Sequence, residues 1–216
     1  MIHNLSTTPS VANQFIAELR DVNIQKDRMR FRHNLERLGE ILAYELSKSL
    51  PFHTVPTETP LGTAHIEVPI EDPVIACILR AGLPLQKGVM NVFDKSDMAF
   101  VSAYRKHNED ESFEICVQYI ACPSIQDRVL IVADPMLATG QSAVKAVEFL
   151  LAYGQPKSIY VVSAIASQQG VDYVKAHLPE ASIWVGVIDP ELTAHSYIVP
   201  GLGDAGDLAF GEKVQR

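Results

Sequence analysis

Residues 129–142 read VLIVADPMLATGQS. An apolar run ends on Asp134, passes through Pro135, Met136, Leu137 and Ala138, and meets Thr139, Gly140, Gln141 and Ser142 where a helical pattern begins. The first N–H groups of a helix have no internal partners, and the helix dipole adds partial positive charge there. A Thr-Gly-x-Ser turn at that place can wrap a phosphate with backbone N–H groups and two hydroxyls. There is no G-x-x-x-x-G-K-[ST], so a nucleoside-triphosphate loop of that class is not supported. A carboxylate at Asp134 would repel a phosphate but suits sugar hydroxyls, and the two together match a phosphorylated ribose. A helix cap beside a loop carboxylate describes the same residues equally well, and this stretch alone does not choose.

Two further loops carry chemistry. In ILRAGLPLQKG (78–88), Arg80 follows an apolar run, and Ala81-Gly82 lets backbone approach a ligand closely. An arginine fork matches phosphate oxygens, although it pairs with a structural carboxylate as readily. In YIVPGLGDAGDLAFG (197–211), small residues expose amides and carbonyls that could read a flat heterocycle with alternating C=O and N–H groups. Ile198, Val199, Leu202 and Phe210 interleave with four glycines, which a disordered tail would not need.

The elements that must hold these loops follow from periodicity. Short apolar runs at 74–79, 98–103, 114–120, 128–133, 158–165 and 182–188 read as buried strands. Helix-like segments at 83–93, 141–153 and 168–177 lie between several of them. The alternation predicts an α/β fold with an open, mostly parallel sheet flanked by helices, whose ligands bind beyond the carboxyl ends of the strands. YRKHNEDESF (104–113) is polar and too short for a helical crossover, so it reads as the exposed, mobile tip of a β-hairpin. Upstream, Ser10 opens a short helix over 10–22. Phe31, Leu35, Leu38, Leu42 and Leu46 form one stripe of a helix over 27–50, stopped by Pro51. Residues 51–73 hold five prolines and read as an irregular connection with at most a short extended piece. The tail from Leu192 to Arg216 reads as an ordered loop rather than a helix.

The 216 residues suffice for one α/β domain. A helical arm would span about 10–50, a core about 70–190 and a Gly-rich hood about 191–212. The net charge of −8 argues against non-specific binding to nucleic acid or anionic membrane. Three cysteines, Cys77, Cys116 and Cys122, lack a close C-x-x-C spacing and read as free thiols in a reducing compartment. No histidine has a zinc-like spacing. No secretory signal or membrane-length apolar run is visible, so the expected location is the cytoplasm.

With the three loops in view, the chain resembles the uracil phosphoribosyltransferase family, which has the type I phosphoribosyltransferase fold. DPMLATGQS is similar to the family's D-P-M-L-A-T-G-G-S, ILRAG to its diphosphate loop, and YIVPGLGDAGD to its uracil-binding segment. ERLGEILAYE (36–45) resembles its N-terminal helix. The likeness runs from about residue 10 to 212. It implies conversion of uracil and 5-phospho-α-D-ribose 1-diphosphate to UMP and diphosphate, in pyrimidine salvage. It implies that Asp134 holds the ribose hydroxyls and that the loop 134–142 binds the phosphoribosyl group, with Ala138, Thr139, Gly140 and Ser142 around the 5′-phosphate. Arg80 and Arg105 would contact the diphosphate, which carries Mg²⁺ largely through its own oxygens. Ile198, Gly203, Asp204 and Ala205 would frame uracil, with Asp204 also facing the phosphoribosyl diphosphate. A homodimer or larger assembly is implied as well, and the apolar stripe of the helix over 27–50 and the exposed hairpin point to the same.

Two residues depart from the family pattern. Gln141 replaces a glycine, and if the turn needs positive φ there the change costs about 1 kcal/mol or more. Leu208 replaces a basic residue in GD-[RK]-x-FG. The rival readings are an RNA-binding regulator that keeps the fold, a purine transferase, and a binding protein with a site impaired at Gln141.

Overall fold

Each of the six apolar runs becomes a strand of one open sheet. The computed structural model describes residues 1–107 and 113–213, with backbone alone for 103–107 and 113–117. In chain order the first elements are β1 (Ile2–Asn4), α1 (Val11–Arg20) and α2 (Arg28–Ser47), then a hairpin of β2 (Phe52–Thr59) and β3 (Gly62–Pro69). The core follows with β4 (Val74–Leu79), α3 (Gly82–Val92), β5 (Asp97–His107), β6 (Phe113–Ala121), β7 (Val129–Ala133) and the two-residue β8 (Met136–Leu137). Next come α4 (Gln141–Leu150), β9 (Ser158–Ser167), α5 (Gln168–His177) and β10 (Ser182–Asp189). The hood holds β11 (Glu191–Leu192), β12 (Ile198–Val199) and α6 (Ala205–Phe210).

The main sheet runs β1-β10-β9-β7-β4-β5-β6, with β8 pairing to β9. All its pairs are parallel except β5 with β6. Side chains alternate between two buried faces, as a sheet covered by helices on both sides demands. Ile75, Ile131, Val162 and Ala164 face a core shared with α1, α2, α3 and the hood. Val74, Ala76, Leu130, Val132 and Val161 face a second core shared with α4 and α5.

The stripe on α2 is wholly inside the chain. Phe31, Leu35, Leu38, Leu42 and Leu46 are all buried, and α2 packs hard on α3. The two helices meet backbone to backbone, since a Cβ on Gly88 would run into the Glu36 carbonyl. The stripe is therefore no surface for a partner.

Three readings need correction, and one short strand carries no signal in the sequence. The connection 51–73 is a regular two-stranded ribbon, with Phe52 opposite Pro69 and Thr59 opposite Gly62. Proline does not forbid it, because each strand of a lone pair is an edge whose outward N–H groups need no partner. The tail does contain a helix, α6, where Asp204 caps the first turn by accepting from the Asp207 N–H at 3.0 Å. The first residues form β1, a parallel edge strand on β10. The helix expected over 141–153 ends at Leu150, and 151–153 are a 3-10 turn. The strands of the polar hairpin reach His107 and start again at Phe113. Of the tip expected over 104–113, residues 108–112 lie outside the described residues.

Candidate active site

The chain reverses its direction of travel across the sheet at β4. From β4 it moves to β5 on one side, and β7 then returns to the other side of β4. In open α/β sheets such a reversal leaves a crevice beyond the strand ends, because the loops leave in opposite directions. Cys77 of β4 lies opposite Ala133 of β7, so Arg80 and Asp134 emerge on the two lips of that crevice.

On one lip, Asp134 is 9% exposed, and its backbone N–H bonds the Val162 carbonyl at 3.1 Å. Its Oδ1 accepts from the Met136 N–H at 3.3 Å, which starts the turn. Asp134 and the turn residues Met136 to Gly140, Ser142 and Ala143 line one narrow cleft. The Leu137 N–H is taken by Ser163 Oγ at 3.2 Å and the Ala138 N–H by the Met136 carbonyl at 3.0 Å. Further along the turn, the Gln141 N–H faces Thr139 Oγ1 at 3.5 Å.

Positive φ falls at Gly140 and not at Gln141. Gly140 caps α4 at φ +76°, and a Cβ there would stand 2.6 Å from the Gly170 carbonyl. Gln141 is the first helical residue and is absent from the positive-φ positions. The glutamine is thus no burden on the backbone, and the turn keeps its shape.

Residues that the motif does not contain hold this turn. Ser167 Oγ donates to the Ala138 carbonyl at 2.5 Å and accepts from the Gly170 N–H at 2.8 Å. Ser163, besides meeting Leu137, donates to the Ile165 carbonyl at 3.1 Å. A Cβ on Gly170 would collide with the carbonyls of Leu137 and Ala138. Both serines are fully buried on β9, where polar side chains need partners. A serine inside an apolar strand run is the only trace of this support in the sequence.

On the other lip, Arg80 reaches the hood rather than the turn. Its Nη2 lies 3.4 Å from Asp207 Oδ1 and 3.3 Å from the Gly211 carbonyl. The Arg80 side chain stays 45% exposed, so this pair is weak and easily exchanged. Beneath it, burial and the neighbouring Asp134 carboxylate push the Cys77 thiol up to about 12. Cys77 is thus a packed thiol, as is expected of its apolar run. Arg105 lies on β5, which runs past the end of β4, with its backbone opposite Ile115. Its side chain is outside the described residues.

The hood closes the crevice. Ile198 is buried and pairs with Leu192. Gly201 and Gly203 adopt φ of +57° and +97°, and Ala205 is buried. Asp204 caps α6 and stands 3.8 Å from Lys213 Nζ. Leu208 packs on the core, while Lys26 and Arg28 from the arm line the same hollow as Leu208 and Asp204. Two other cations thus stand where the family pattern has a basic residue at 208. Among the described residues, no group of three or more His, Cys, Asp or Glu side chains could hold a metal ion, and no helix is long and apolar enough to cross a membrane.

The family model for uracil phosphoribosyltransferase matches residues 6–212. A uracil phosphoribosyltransferase of Porphyromonas gingivalis is 53% identical over 215 residues, covering 99% of both chains. One of Pyrobaculum arsenaticum is 44% identical, covering 92% of this chain and 94% of its own. Among solved structures, the AQ2163 protein of Aquifex aeolicus superposes at TM-score 0.88 with 28% identity over the whole of both chains. The orotate phosphoribosyltransferase of Mycobacterium tuberculosis, solved with 5-phospho-alpha-D-ribosyl 1-diphosphate, superposes at 0.50 with 13% identity, covering 84% of this chain and 92% of its own. That last likeness is one of fold.

The turn geometry separates two neighbouring substitutions. Gly140→Ala forces a side chain into the left-handed region and against Gly170, an expected loss of about 1–2 kcal/mol or more in stability. Gln141→Gly changes only a first-turn helical residue and should cost no more than about 1 kcal/mol, with the cleft intact. Chemical denaturation of both variants reads the difference, and equal losses would contradict the assignment of positive φ to Gly140.

Proposed function

Because the chain belongs to the uracil phosphoribosyltransferase family, we propose that the crevice between β4 and β7 is where it joins uracil to 5-phospho-α-D-ribose 1-diphosphate, giving UMP and diphosphate. One observation carries the placement. A buried carboxylate and an amide-rich helix mouth share a cleft at the switch point, facing an arginine and a backbone-rich hood.

The roles follow from the chemistry of each group. Asp134 accepts hydrogen bonds from the ribose hydroxyls, which a buried carboxylate does strongly. Thr139, Gly140, Gln141 and Ser142 present amides and hydroxyls to the 5′-phosphate at the start of α4. Pro135, Met136, Leu137 and Ala138 shape the turn rather than bind through their side chains. Arg80 exchanges Asp207 and Gly211 for the diphosphate, whose larger charge competes well against an exposed pair. Arg105 approaches from β5. Ile198, Gly203, Asp204 and Ala205 frame the base.

In the reaction the bond from the anomeric carbon to diphosphate breaks, a bond to a uracil ring nitrogen forms, and the proton of that nitrogen passes to water or to the departing diphosphate. Positive charge builds on the ribose ring as the leaving group departs. The protein lowers the barrier by holding the two reactants in line and by stabilising the departing charge. The site fits a Mg²⁺ that arrives on the diphosphate, since that ion keeps several waters and needs few protein carboxylates. When bound, it offsets charge on the leaving oxygen. Asp134 and Asp204 would be the carboxylates that hold it through its waters. The net charge of −8 weighs against the RNA-binding reading.

We also infer a homo-oligomer working in the cytoplasm. Support for assembly comes from the ribbon 52–69, which presents two open strand edges and the exposed apolar residues Phe52 and Ile66, with Ile70 just beyond it.

Two outcomes are expected. With Mg²⁺, the protein converts uracil to UMP and leaves adenine, guanine and hypoxanthine untouched. Asp134→Asn remains folded and loses about 1.5–3 kcal/mol in kcat/KM for phosphoribosyl diphosphate, the scale of a charge-assisted hydrogen bond. Turnover of a purine with none of uracil would overturn the assignment, and wild-type kinetics in Asp134→Asn would remove the carboxylate from the ribose. Sedimentation at assay concentration should give a dimer or larger, and charged substitutions at Phe52 and Ile66 should shift it toward monomer. A wild-type monomer would refute the assembly.

A further inference from the structure

The hood is anchored from a distance. Arg20, the last residue of α1, donates from Nη2 to Asp189 Oδ1 at 2.7 Å and from Nη1 to Asp189 Oδ2 at 3.0 Å. The same Nη1 lies 3.1 Å from the Gly201 carbonyl. Asp189 Oδ2 also accepts from the Gly201 N–H at 2.9 Å. The Gly201 peptide groups are therefore held at both the N–H and the C=O by one buried ion pair. Asp189 is 4% exposed, and the side chain of Arg20 is 21% exposed. A pair this sheltered is poorly screened and costly to break on one side. Gly201 itself turns tightly, at φ +57°, and a Cβ there would collide with the Ile198 carbonyl.

Two more arm side chains repeat the pattern. Gln25 Nε2 bridges the Leu19 and Leu202 carbonyls at 2.9 and 3.2 Å. Arg32 Nη1 donates to the Ala209 carbonyl at 2.7 Å. Residues of the first two helices and of the turn between them thus hold the hood backbone at 201, 202 and 209, on either side of Gly203–Ala205. None of the three reaches the cleft at 134–143.

We propose that Arg20 is a positioning residue for the nucleobase: through Asp189 and Gly201 it sets the register of the backbone that reads uracil, and it does not set the phosphoribosyl cradle. The proposal rests on the assignment of Ile198–Ala205 to the base. A segment that recognises its ligand by backbone groups has no side chain to readjust, so a shift of the peptide plane is a direct loss of hydrogen-bond geometry. A bidentate guanidinium fixes both carboxylate oxygens of Asp189 while its Nη1 also meets the Gly201 carbonyl, whereas a lysine in its place offers one point charge.

The test is Arg20→Lys, with Asp189→Asn as the second variant, assayed for both substrates alongside hydrogen exchange. KM for uracil should rise about tenfold or more, the effect of one lost charge-assisted contact, with KM for phosphoribosyl diphosphate moving less than about twofold. Backbone exchange should quicken over 198–204 and stay unchanged over 129–150. If Arg20→Lys does not fold, Asp189→Asn carries the same comparison. Equal changes in both KM values, or an unaltered KM for uracil in a folded variant, overturn the proposal. Should the wild-type protein fail to use uracil, the function reading falls. The exchange measurement then decides this one, and unchanged rates over 198–204 reject it.

Discussion

The constraint on which this molecule depends is the parting of the chain at β4. Two parallel strands, β4 and β7, lie side by side with loops that must diverge, because one crosses toward β5 and the other toward β9. A charged residue is tolerable at the end of a buried strand only where it meets water or a partner. Arg80 and Asp134 stand at that boundary, one half exposed against the hood and the other nearly buried in its turn. The rest of the fold keeps these two loops rigid. Buried serines on β9 fasten the turn after β7, and the hood supplies the far wall.

Much of this was legible in the chain because it is written in local patterns. Strand runs with β-branched residues, helix stripes and the three loops all depend on neighbours in sequence. The ribbon at 52–69 was hidden by its prolines, which weigh against a strand in a sheet interior but not in a lone pair. The strand at Ile2–Asn4 is three residues long, too short for a period to show. The helix in the tail hides among glycines, and its capping Asp204 drew notice as a ligand for the base rather than as a cap. The supports of the site were illegible for a different reason. Ser167 meets Ala138 across 29 positions and Arg20 meets Asp189 across 169, and no local signal announces such partners.

The substitution at Gln141 shows how geometry changes the meaning of a motif. Read as letters, a lost glycine in a phosphate turn suggests a damaged site. Read as backbone, the turn spends its left-handed residue at Gly140 and begins its helix at 141, so any helix former serves there. Leu208 makes the complementary point. It joins the apolar core, and the cations of the hollow come from Lys26 and Arg28 on the arm.

The central claim is that the phosphate sits at the mouth of α4 and the base beneath the hood, on either side of Asp134. A crystal structure of the protein with UMP tests it most directly. The account predicts the 5′-phosphate within hydrogen-bond distance of backbone amides between Thr139 and Ser142, the ribose hydroxyls on Asp134, and the uracil edge against the backbone of Gly203–Ala205. UMP seated instead in the hollow of Lys26 and Arg28, with the cleft at 134–143 empty, would contradict it.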